Sequence, residues 1–287
     1  MLPASGISGY NLQELIHQGT NTVIYRAIST AEKQSVILKV LNTDCPTIEQ
    51  SASLKHEYQI TKHIDSEYVI KVSRLEIHHF CLVLVLEDIG GISLKSWIEH
   101  LKNQPKLAEG ATDNPVASAT NYQLSLTNFF NIAVSLAKAL VFLHQNQIIH
   151  KDIKPDNIII NPQTKQVKLA DFSIASRLRK EQTDLKNPDR LEGTLAYMSP
   201  EQTGRMNRSI DYRSDFYSLG VTFYELLTGQ LPFTSSDPLE MVHCHIAKQP
   251  APLQQLNPQI PIVLTQIVAK LMAKNAELRY QTATKIK

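Results

Sequence analysis

The chain has 287 residues, of which 43% are hydrophobic and 20% are charged, an ordinary composition for a globular protein with one large domain or two lobes. The 29 basic and 27 acidic side chains leave a formal net charge of +2, so nothing in the charge balance indicates a nucleic-acid or membrane partner. The three cysteines are far apart, which argues against a disulfide framework, and we predict a cytoplasmic protein in a reducing compartment.

The first third of the chain predicts a small sheet with one helix. Residues 10–41 are rich in β-branched and aromatic side chains around a polar turn, which favours strands. From Thr47 to Ile64 the apolar residues follow a helical period. Residues 69–75 and 77–86 then predict two further strands, the second containing the strongly β-like run CLVLVLE.

Helical patterns dominate beyond the glycine pair Gly90 and Gly91. Residues 103–123 are small, polar and without an apolar period, and we predict a flexible surface loop there, disordered in preference to functional. The most apolar long segment, 129–143, contains Asn, Ser and Lys, so it predicts a buried helix and no membrane segment. The remaining predicted elements are helices over 126–145, 213–228, about 237–248 and 260–273, short strands over 158–161 and 167–170, and an extended segment over 171–201.

The stretch HKDIKPDNIII, His150 to Ile160, places three polar residues of different chemistry close together. Asp152, Lys154 and Asn157 stand on one predicted loop just before an apolar run. Taken alone, such residues commonly serve as helix caps and turns. As a group they would supply a base, a cation and a metal ligand.

Other parts of the chain supply candidate partners for this loop. Lys39 lies in the predicted strand VILK, and Glu57 lies on the first predicted helix. Asp171 follows the predicted strand VKLA, nineteen residues after Asp152. Farther on, EGTLAYMSPE contains Thr194 and is followed by DFYSLG. The order and spacing of these motifs, rather than any one of them, indicate a common site.

In this order and spacing the motifs resemble those of the eukaryotic-type protein kinase catalytic domain. The resemblance extends over residues 10–287. It implies an α+β, two-lobed fold, with a small antiparallel β-sheet lobe that carries one helix and a larger, mainly helical lobe. The implied boundaries are an N-terminal extension over 1–9, the N-lobe over 10–88, and the C-lobe over 89–287 with the hinge, the flexible insertion 103–123 and the activation segment 171–201.

The resemblance also implies the roles of the loop residues. Asp152 would be the catalytic base that accepts or orients the proton of the attacking hydroxyl. Asn157 and Asp171 would hold Mg²⁺, a hard cation that prefers oxygen ligands. Lys154 would lie beside the transferred phosphoryl group as a further cation, in keeping with a reaction that depends on positioning and charge stabilisation.

For the nucleotide, the resemblance implies an ATP site near the hinge. Lys39 would contact the α- and β-phosphates and would be held by an ion pair with Glu57. Glu87 and Ile89 in the hinge would offer backbone hydrogen bonds to adenine, and Gly19 would belong to the phosphate loop. The apolar walls would be Ile16, Ile24 and Leu86. For these three the alternative is a purely structural core role.

The substrate class follows from the same resemblance. The pattern D-x-K-x-x-N, Asp152 to Asn157, marks serine/threonine rather than tyrosine kinases, and Thr194 matches the threonine that bonds the aspartate and lysine in that group. The implied partner is a protein with a serine or threonine acceptor. The peptide-docking segment that ends at Glu201 argues against a small-molecule kinase. The resemblance gives structural rather than chemical roles to three residues, Glu201, Arg279 and Asp215.

The chain departs from the kinase pattern at three motifs. The phosphate loop, residues 17–24, keeps only Gly19 of its glycines, and Asn21 is the residue there that would compensate by tolerating a left-handed backbone. Ser173 replaces the DFG glycine, and Lys151 replaces the arginine of HRD. A pseudokinase-like nucleotide-binding or interaction module of a larger signalling protein therefore stays open as the alternative.

Two further expectations concern regulation and context. Thr183 is the first candidate for phosphorylation in the activation segment, although an ordinary solvated threonine is the simpler interpretation. The glycine-poor loop and the insertion SPEQTGRMNRSIDYRSDFYS also resemble the N-terminal kinase domain of large bacterial, cyanobacterial-type, multidomain signalling kinases. That resemblance implies further sensor or ATPase domains in the full-length protein. Because the sequence ends inside what should be the last helix, we expect it to be a fragment.

Overall fold

The computed structural model describes residues 6–43, 45–78, 81–103, 124–177, 193–206 and 208–286. The predicted loop over 103–123, apart from Asn103, and the phosphorylation candidate Thr183 lie outside these residues. The described residues form a five-stranded sheet with one helix, followed by a mainly helical part. This arrangement confirms the predicted two-lobed α+β fold.

Five antiparallel strands form the sheet of the N-terminal lobe. They are β1 Tyr10–Gln18, β2 Thr22–Ser29, β3 Ser35–Leu41, β4 Val72–His78 and β5 Cys81–Glu87, and their order across the sheet is β1-β2-β3-β5-β4. The helix α1, Ile48–Thr61, contacts β4 and β5. Thr47 caps this helix, and the side chains of Thr47 and Gln50 each accept a hydrogen bond from the other's backbone N–H.

Alternation along β3 decides which residues face the cleft beside the sheet. Val36, Leu38 and Val40 are buried in an apolar cluster on one face. Because successive side chains of a strand point to opposite faces, Ile37 and Lys39 point the other way. Lys39 is thereby directed into the cleft, where it is only 6% exposed.

The strands β4 and β5 begin later than predicted. The sequence predicts strands over 69–75 and 77–86, whereas β4 starts at Val72. The preceding residues bond instead to a strand of the other lobe, since Ile70 N donates to Leu169 O at 2.9 Å and Leu169 N donates to Tyr68 O at 2.8 Å. This contact joins residues far apart in sequence, so local apolar patterns do not show it.

The C-terminal lobe is mainly helical and carries two small sheets. Its helices are α2 Leu94–Asn103, α3 Leu126–Gln145, α4 Arg213–Thr228, α5 Pro238–Ala247, α6 Leu253–Leu256 and α7 Ile262–Leu271. Its strands are β6 Ile92–Ser93, β7 Ile148–Ile149, β8 Ile158–Ile160, β9 Val167–Leu169 and β10 Ser176–Arg177. One sheet has the order β6-β8-β9, and β7 pairs with β10 in the other.

The pairing of β8 with β9 brings two predicted site residues together. The strands are antiparallel, and Ile158 at the start of β8 lies opposite Leu169 at the end of β9. The residue before β8 and the residues after β9 therefore meet at one end of the sheet. Ala170 N donates to Asn157 O at 2.8 Å, and Asp171 follows directly.

Helix α3 is long and apolar, and it belongs to the core of the lobe. Among the described residues it is the one helix whose length and composition would allow it to cross a membrane. One face of it is buried, with Ile132, Leu136 and Leu140 in the main apolar cluster. Lys138 on the same helix donates to the hydroxyl of Tyr68 at 2.9 Å. These contacts agree with the predicted buried helix.

A buried ion pair holds the end of the activation segment to the C-terminal part of the lobe. Arg279 has a fully buried side chain that donates to both carboxylate oxygens of Glu201, at 2.6 and 2.9 Å. The guanidinium also donates to the carbonyls of Arg213 and Ala273. Burial alone would raise the pKa of Glu201, but the hydrogen bonds and charge of Arg279 outweigh burial and hold this pKa below its ordinary value.

Replacing Arg279 by methionine should lower the free energy of unfolding by about 3–5 kcal/mol, because Glu201 then keeps a buried charge without a partner. Denaturant unfolding at pH 7 measures the difference. A carboxyl whose pKa is lower in the folded state stabilises the fold above its unfolded pKa, and this stabilisation is lost as the pH falls through the folded pKa. The difference between parent and variant should therefore shrink below about pH 4.

The matched control is Lys71→Met, which removes an ion pair with Asp65 whose side chains are 59% and 93% exposed. Exposed pairs contribute about 0–1 kcal/mol, so this variant should unfold almost as the parent does. A loss of less than about 1 kcal/mol in the Arg279 variant would contradict the structural role of the buried pair.

Candidate active site

A cleft of about 660 Å³ lies between the N-terminal sheet and the C-terminal lobe, a volume typical of a small-molecule site. The structure brings the predicted site residues together in and beside this cleft. Those that line it are Ile16, Ile24, Lys39, Glu57, Leu86, Glu87, Ile89, Lys154, Asn157, Asp171 and Thr194. The other two are Asp152, which bonds to lining residues, and Gly19, which lies in the loop between β1 and β2.

Lys39 joins two carboxylates from different parts of the chain. Its Nζ lies 2.7 Å from Glu57 Oε2 on α1 and 2.9 Å from Asp171 Oδ1 after β9. Burial alone would lower the pKa of Lys39, but the two negative charges raise it above its ordinary value. Burial would also raise the pKa of Asp171, and Lys39 outweighs this effect and holds it well below the ordinary range. Both groups are therefore charged at neutral pH.

Asp152 is the centre of the loop that leads into β8. Its Oδ2 accepts a hydrogen bond from Asn157 Nδ2 at 2.9 Å and lies 2.8 Å from Lys154 Nζ. Its Oδ1 accepts from the backbone N–H of Thr194 at 3.0 Å. A single 3-10 turn, Pro155–Asn157, spaces these residues, and proline at its first position suits the turn because no N–H is needed there.

Thr194 and Lys154 make the contact that the sequence predicts. Lys154 Nζ donates to Thr194 Oγ1, so the lysine touches both this hydroxyl and the carboxylate of Asp152. Thr194 is therefore joined to the loop of Asp152 by two hydrogen bonds, one through its backbone N–H and one through its hydroxyl.

A fully buried carboxylate holds the backbone of this loop. Asp215 on α4 accepts from His150 N at 3.0 Å, Lys151 N at 2.8 Å and His144 Nε2 at 2.9 Å. Burial would raise the pKa of Asp215, but these hydrogen bonds lower it below its ordinary value. Lys151 has φ 71°, an uncommon left-handed conformation that these bonds stabilise.

Two oxygens at one end of the cleft suit a hard cation. Asn157 uses its amide nitrogen to bond the carbonyl and the carboxylate of Asp152, at 2.8 and 2.9 Å. Within the described part of the chain, no donor bonds to Asn157 Oδ1, while Asp171 accepts from Lys39 Nζ and Ser173 N through its Oδ1. An ionised carboxylate and an amide oxygen are the ligands that Mg²⁺ takes beside phosphate oxygens, so the donor set fits that ion.

The hinge end of the cleft has apolar walls, and the carboxylate of Glu87 there bonds to two lysines. Ile16 and Ile24 line the cleft from the sheet, and Leu86 lies beside the hinge. The Glu87 carboxylate accepts from Lys168 Nζ at 2.6 Å and from Lys71 N at 2.6 Å. These bonds engage the Glu87 side chain, so the backbone of Glu87 would be the part that could bond a ligand; its predicted hydrogen bond to adenine stays a prediction.

Sequence reasoning missed a set of contacts that ties β2 to the hinge. Arg26 Nε donates to Asp88 Oδ2 at 2.9 Å, and its Nη2 donates to Gly91 O at 2.9 Å. A third bond joins Arg26 to Glu14 on β1, and Ser35 Oγ donates to Asp88 at 2.6 Å. Side chains alternate along β2, so Arg26 lies on the same face as Ile24. This pattern could have indicated that Arg26 lies near the cleft.

At Gly19 the structure leaves little room for a side chain, whereas its backbone does not need a positive φ. Neither Gly19 nor Asn21 has a positive φ, so the expectation that Asn21 compensates through a left-handed conformation is wrong. A Cβ at position 19 would lie 3.2 Å from His17 Nε2 and 3.4 Å from Thr22 O. The ring of His17, which lines the cleft, occupies the space that a side chain at position 19 would need.

Ser173 fits its position without a strained backbone. Of Asp171, Phe172 and Ser173, the residue with a left-handed backbone is Asp171, with φ 63°. Aspartate tolerates this conformation better than most residues do. Ser173 does not have a positive φ, and its N–H donates to Asp171 Oδ1 at 3.2 Å. The backbone N–H of Ser173 thus supports the carboxylate that would bind the metal ion.

Comparison with known proteins agrees with this geometry. Residues 10–287 match the protein kinase domain family. A probable serine/threonine-protein kinase of Clostridium acetobutylicum is 28% identical over 278 residues, 96% of this chain and 38% of that protein. The serine/threonine-protein kinase PknB of Mycobacterium tuberculosis is 30% identical over 289 residues, 97% of this chain and 42% of that protein.

PknB of Mycobacterium leprae is 42% identical over a shorter region of 156 residues, 54% of this chain and 24% of that protein. The chain spans about two fifths of the length of the two curated relatives that it matches almost throughout. Because the family match covers nearly the whole sequence and the cleft carries the lysine, carboxylates and asparagine of the family's motifs, the chain belongs to the protein kinase family.

Proposed function

We propose that this chain is a serine/threonine protein kinase that transfers the γ-phosphoryl group of ATP to protein hydroxyls. One observation carries the proposal. Lys39 lies within 3 Å of the carboxylates of Glu57 and Asp171, and these residues share a cleft with the loop of Asp152 and Asn157. A chain that had lost phosphotransfer would have no need to keep all of these groups paired and oriented.

Asp152 acts on the acceptor in this proposal. Its carboxylate is oriented by Asn157, Lys154 and the backbone of Thr194, so it presents a fixed acceptor for the proton of an incoming hydroxyl. Lys154, held by Thr194, places a positive charge beside the group being transferred. The chain thus supplies positioning and charge stabilisation, which phosphoryl transfer requires more than covalent help.

Lys39 acts on the nucleotide, and Asp171 and Asn157 would hold the metal ion. The ammonium of Lys39 is kept charged and in place by Glu57, so it is ready to bind phosphate oxygens. Mg²⁺ bound with ATP supplies positive charge that neutralises the phosphate oxygens. The lowered pKa of Asp171 keeps its carboxylate ionised for this ion at neutral pH.

The serine/threonine class rests on two supports. Lys154 and Thr194 are in direct contact, as the resemblance to that class implies. The relatives from Clostridium and Mycobacterium carry serine/threonine-protein kinase in their names. A small-molecule acceptor has no comparable support in the described residues.

The wider context is also a proposal. We assign residues 1–9 to an N-terminal extension, 10–88 to the N-lobe and 89–287 to the C-lobe, with the activation segment over 171–201. The protein acts in the cytoplasm, and further sensor or ATPase domains belong to its full-length form. The relatives are more than twice as long as the matched region, which leaves room for such domains.

Replacing Asp152 by asparagine should lower the phosphotransfer rate by at least about 100-fold, because the hydroxyl loses its proton acceptor. Transfer of labelled phosphate from ATP with magnesium to a generic protein acceptor, with identification of the modified residue, measures this. The control is Asp65→Asn, the same chemical change at a side chain that is 93% exposed. It should leave the rate unchanged.

The outcomes separate the proposal from its alternatives. Label on serine or threonine that depends on Asp152 supports a serine/threonine kinase. No transfer by the parent chain would favour the pseudokinase-like module instead. Turnover of metabolites without protein labelling would replace the protein substrate by a small molecule.

Magnesium and ATP together should stabilise the chain against heat, by about 2.7 kcal/mol when the ligand is at about 100 times its dissociation constant. Chelation of magnesium should remove most of this stabilisation. In Asp171→Asn the magnesium-dependent part should disappear, because the carboxylate ligand is lost, while Asp65→Asn should behave as the parent does. Equal magnesium dependence in both variants would contradict the role of Asp171.

A further inference from the structure

The loop between β1 and β2 is held from outside the cleft by Asn42, the first residue after β3. Asn42 Nδ2 donates to Gly19 O at 2.9 Å. The backbone N–H of Asn42 donates to Asn21 O at 2.8 Å. One residue therefore binds two carbonyls of the four-residue turn from Gly19 to Thr22, and both Thr22 and the nearby His17 line the cleft.

Two further bonds complete this arrangement. Gly19 N donates to Thr22 O at 2.9 Å, which closes the turn on itself. Gln50 Nε2 reaches Asn21 Oδ1 at 3.4 Å, while the other atom of the same amide caps Thr47 at the start of α1. The loop is thus bonded to the end of β3 and to the first turn of the helix that carries Glu57.

The direction of these bonds matters for a phosphate ligand. Asn42 is partly buried and is absent from the residues that line the cleft, so the carbonyls of Gly19 and Asn21 point toward it and away from the cleft. A carbonyl turned into the cleft would bring negative charge against the phosphates. Holding both carbonyls outward leaves the inner side of the loop to groups that attract anions.

We propose that Asn42 is a positioning residue that keeps the glycine-poor phosphate loop in its nucleotide-binding conformation. The proposal rests on the proposed ATP site. In a loop with several glycines the backbone adapts to the phosphates on binding, whereas here side-chain hydrogen bonds order the loop beforehand. Ordering before binding removes part of the entropic cost of association.

The test compares Asn42→Ala and Asn42→Asp with the parent chain. Alanine removes the amide donor, and aspartate keeps the shape but, when ionised, has no donor for Gly19 O. Titration calorimetry with magnesium and ATP, and separately with adenosine, gives both affinities. Loss of one hydrogen bond that orders the loop should weaken ATP binding about three- to tenfold. Adenosine, which has no phosphates, should bind within about twofold of the parent.

The matched control is Asn131→Ala in the C-terminal lobe, which also removes one amide bond to a carbonyl, that of Lys165 at 2.7 Å. It should change neither affinity. Kinetics give an independent readout, because the loss of loop order should raise the KM for ATP in proportion to the loss of affinity in both Asn42 variants. A general folding defect would instead lower the melting temperature of the free chain and weaken ATP and adenosine alike.

Each outcome decides the matter. Selective loss of ATP affinity supports the positioning role. Unchanged ATP affinity, or equal loss of ATP and adenosine, overturns it while the proposed kinase function stands. If the parent chain itself binds no ATP, the proposed function fails first, and the role of Asn42 fails with it.

Discussion

The buried contact of Lys39 with Glu57 and Asp171 joins three parts of the chain that are far apart in sequence. It connects β3, α1 and the segment after β9 at distances of 2.7 and 2.9 Å. Phe172 N adds a hydrogen bond to Glu57 at 3.3 Å. Because a buried charge without its partner is strongly destabilising, this contact favours the arrangement in which all three elements meet. The sheet, the helix and the carboxylate of Asp171 are therefore coupled.

A second set of buried polar contacts orients the loop that carries Asp152. Asp215 accepts two backbone N–H groups of that loop, and the pair of Glu201 with Arg279 fastens the end of the activation segment. Buried polar groups are costly unless they are satisfied, so these bonds select one loop conformation. The left-handed backbone of Lys151 is part of that conformation. The geometry around Asp152 thus depends on buried residues of α4 and of the chain around Arg279.

The departures from the family pattern are accommodated locally. The loop with one glycine is bonded by Asn42, and the hinge is bonded to β2 by Arg26. Ser173 supports the carboxylate of Asp171 without a strained backbone. Asn42 and Arg26 donate these hydrogen bonds from their side chains, Ser173 donates from its backbone N–H, and the central ion contact is kept.

The sequence by itself determined the elements and the motif order. The β-branched residues around Lys39 predicted a strand that carries it, the helical period after Thr47 predicted α1, and the resemblance predicted that Asp152 and Asp171 share a site. Only the tertiary structure decided the later start of β4 and the partners of Arg26 and Asn42, because these depend on hydrogen bonds between distant segments. Local patterns report which face of an element is buried, whereas the partner of a polar group depends on distances that exist only after the chain has folded.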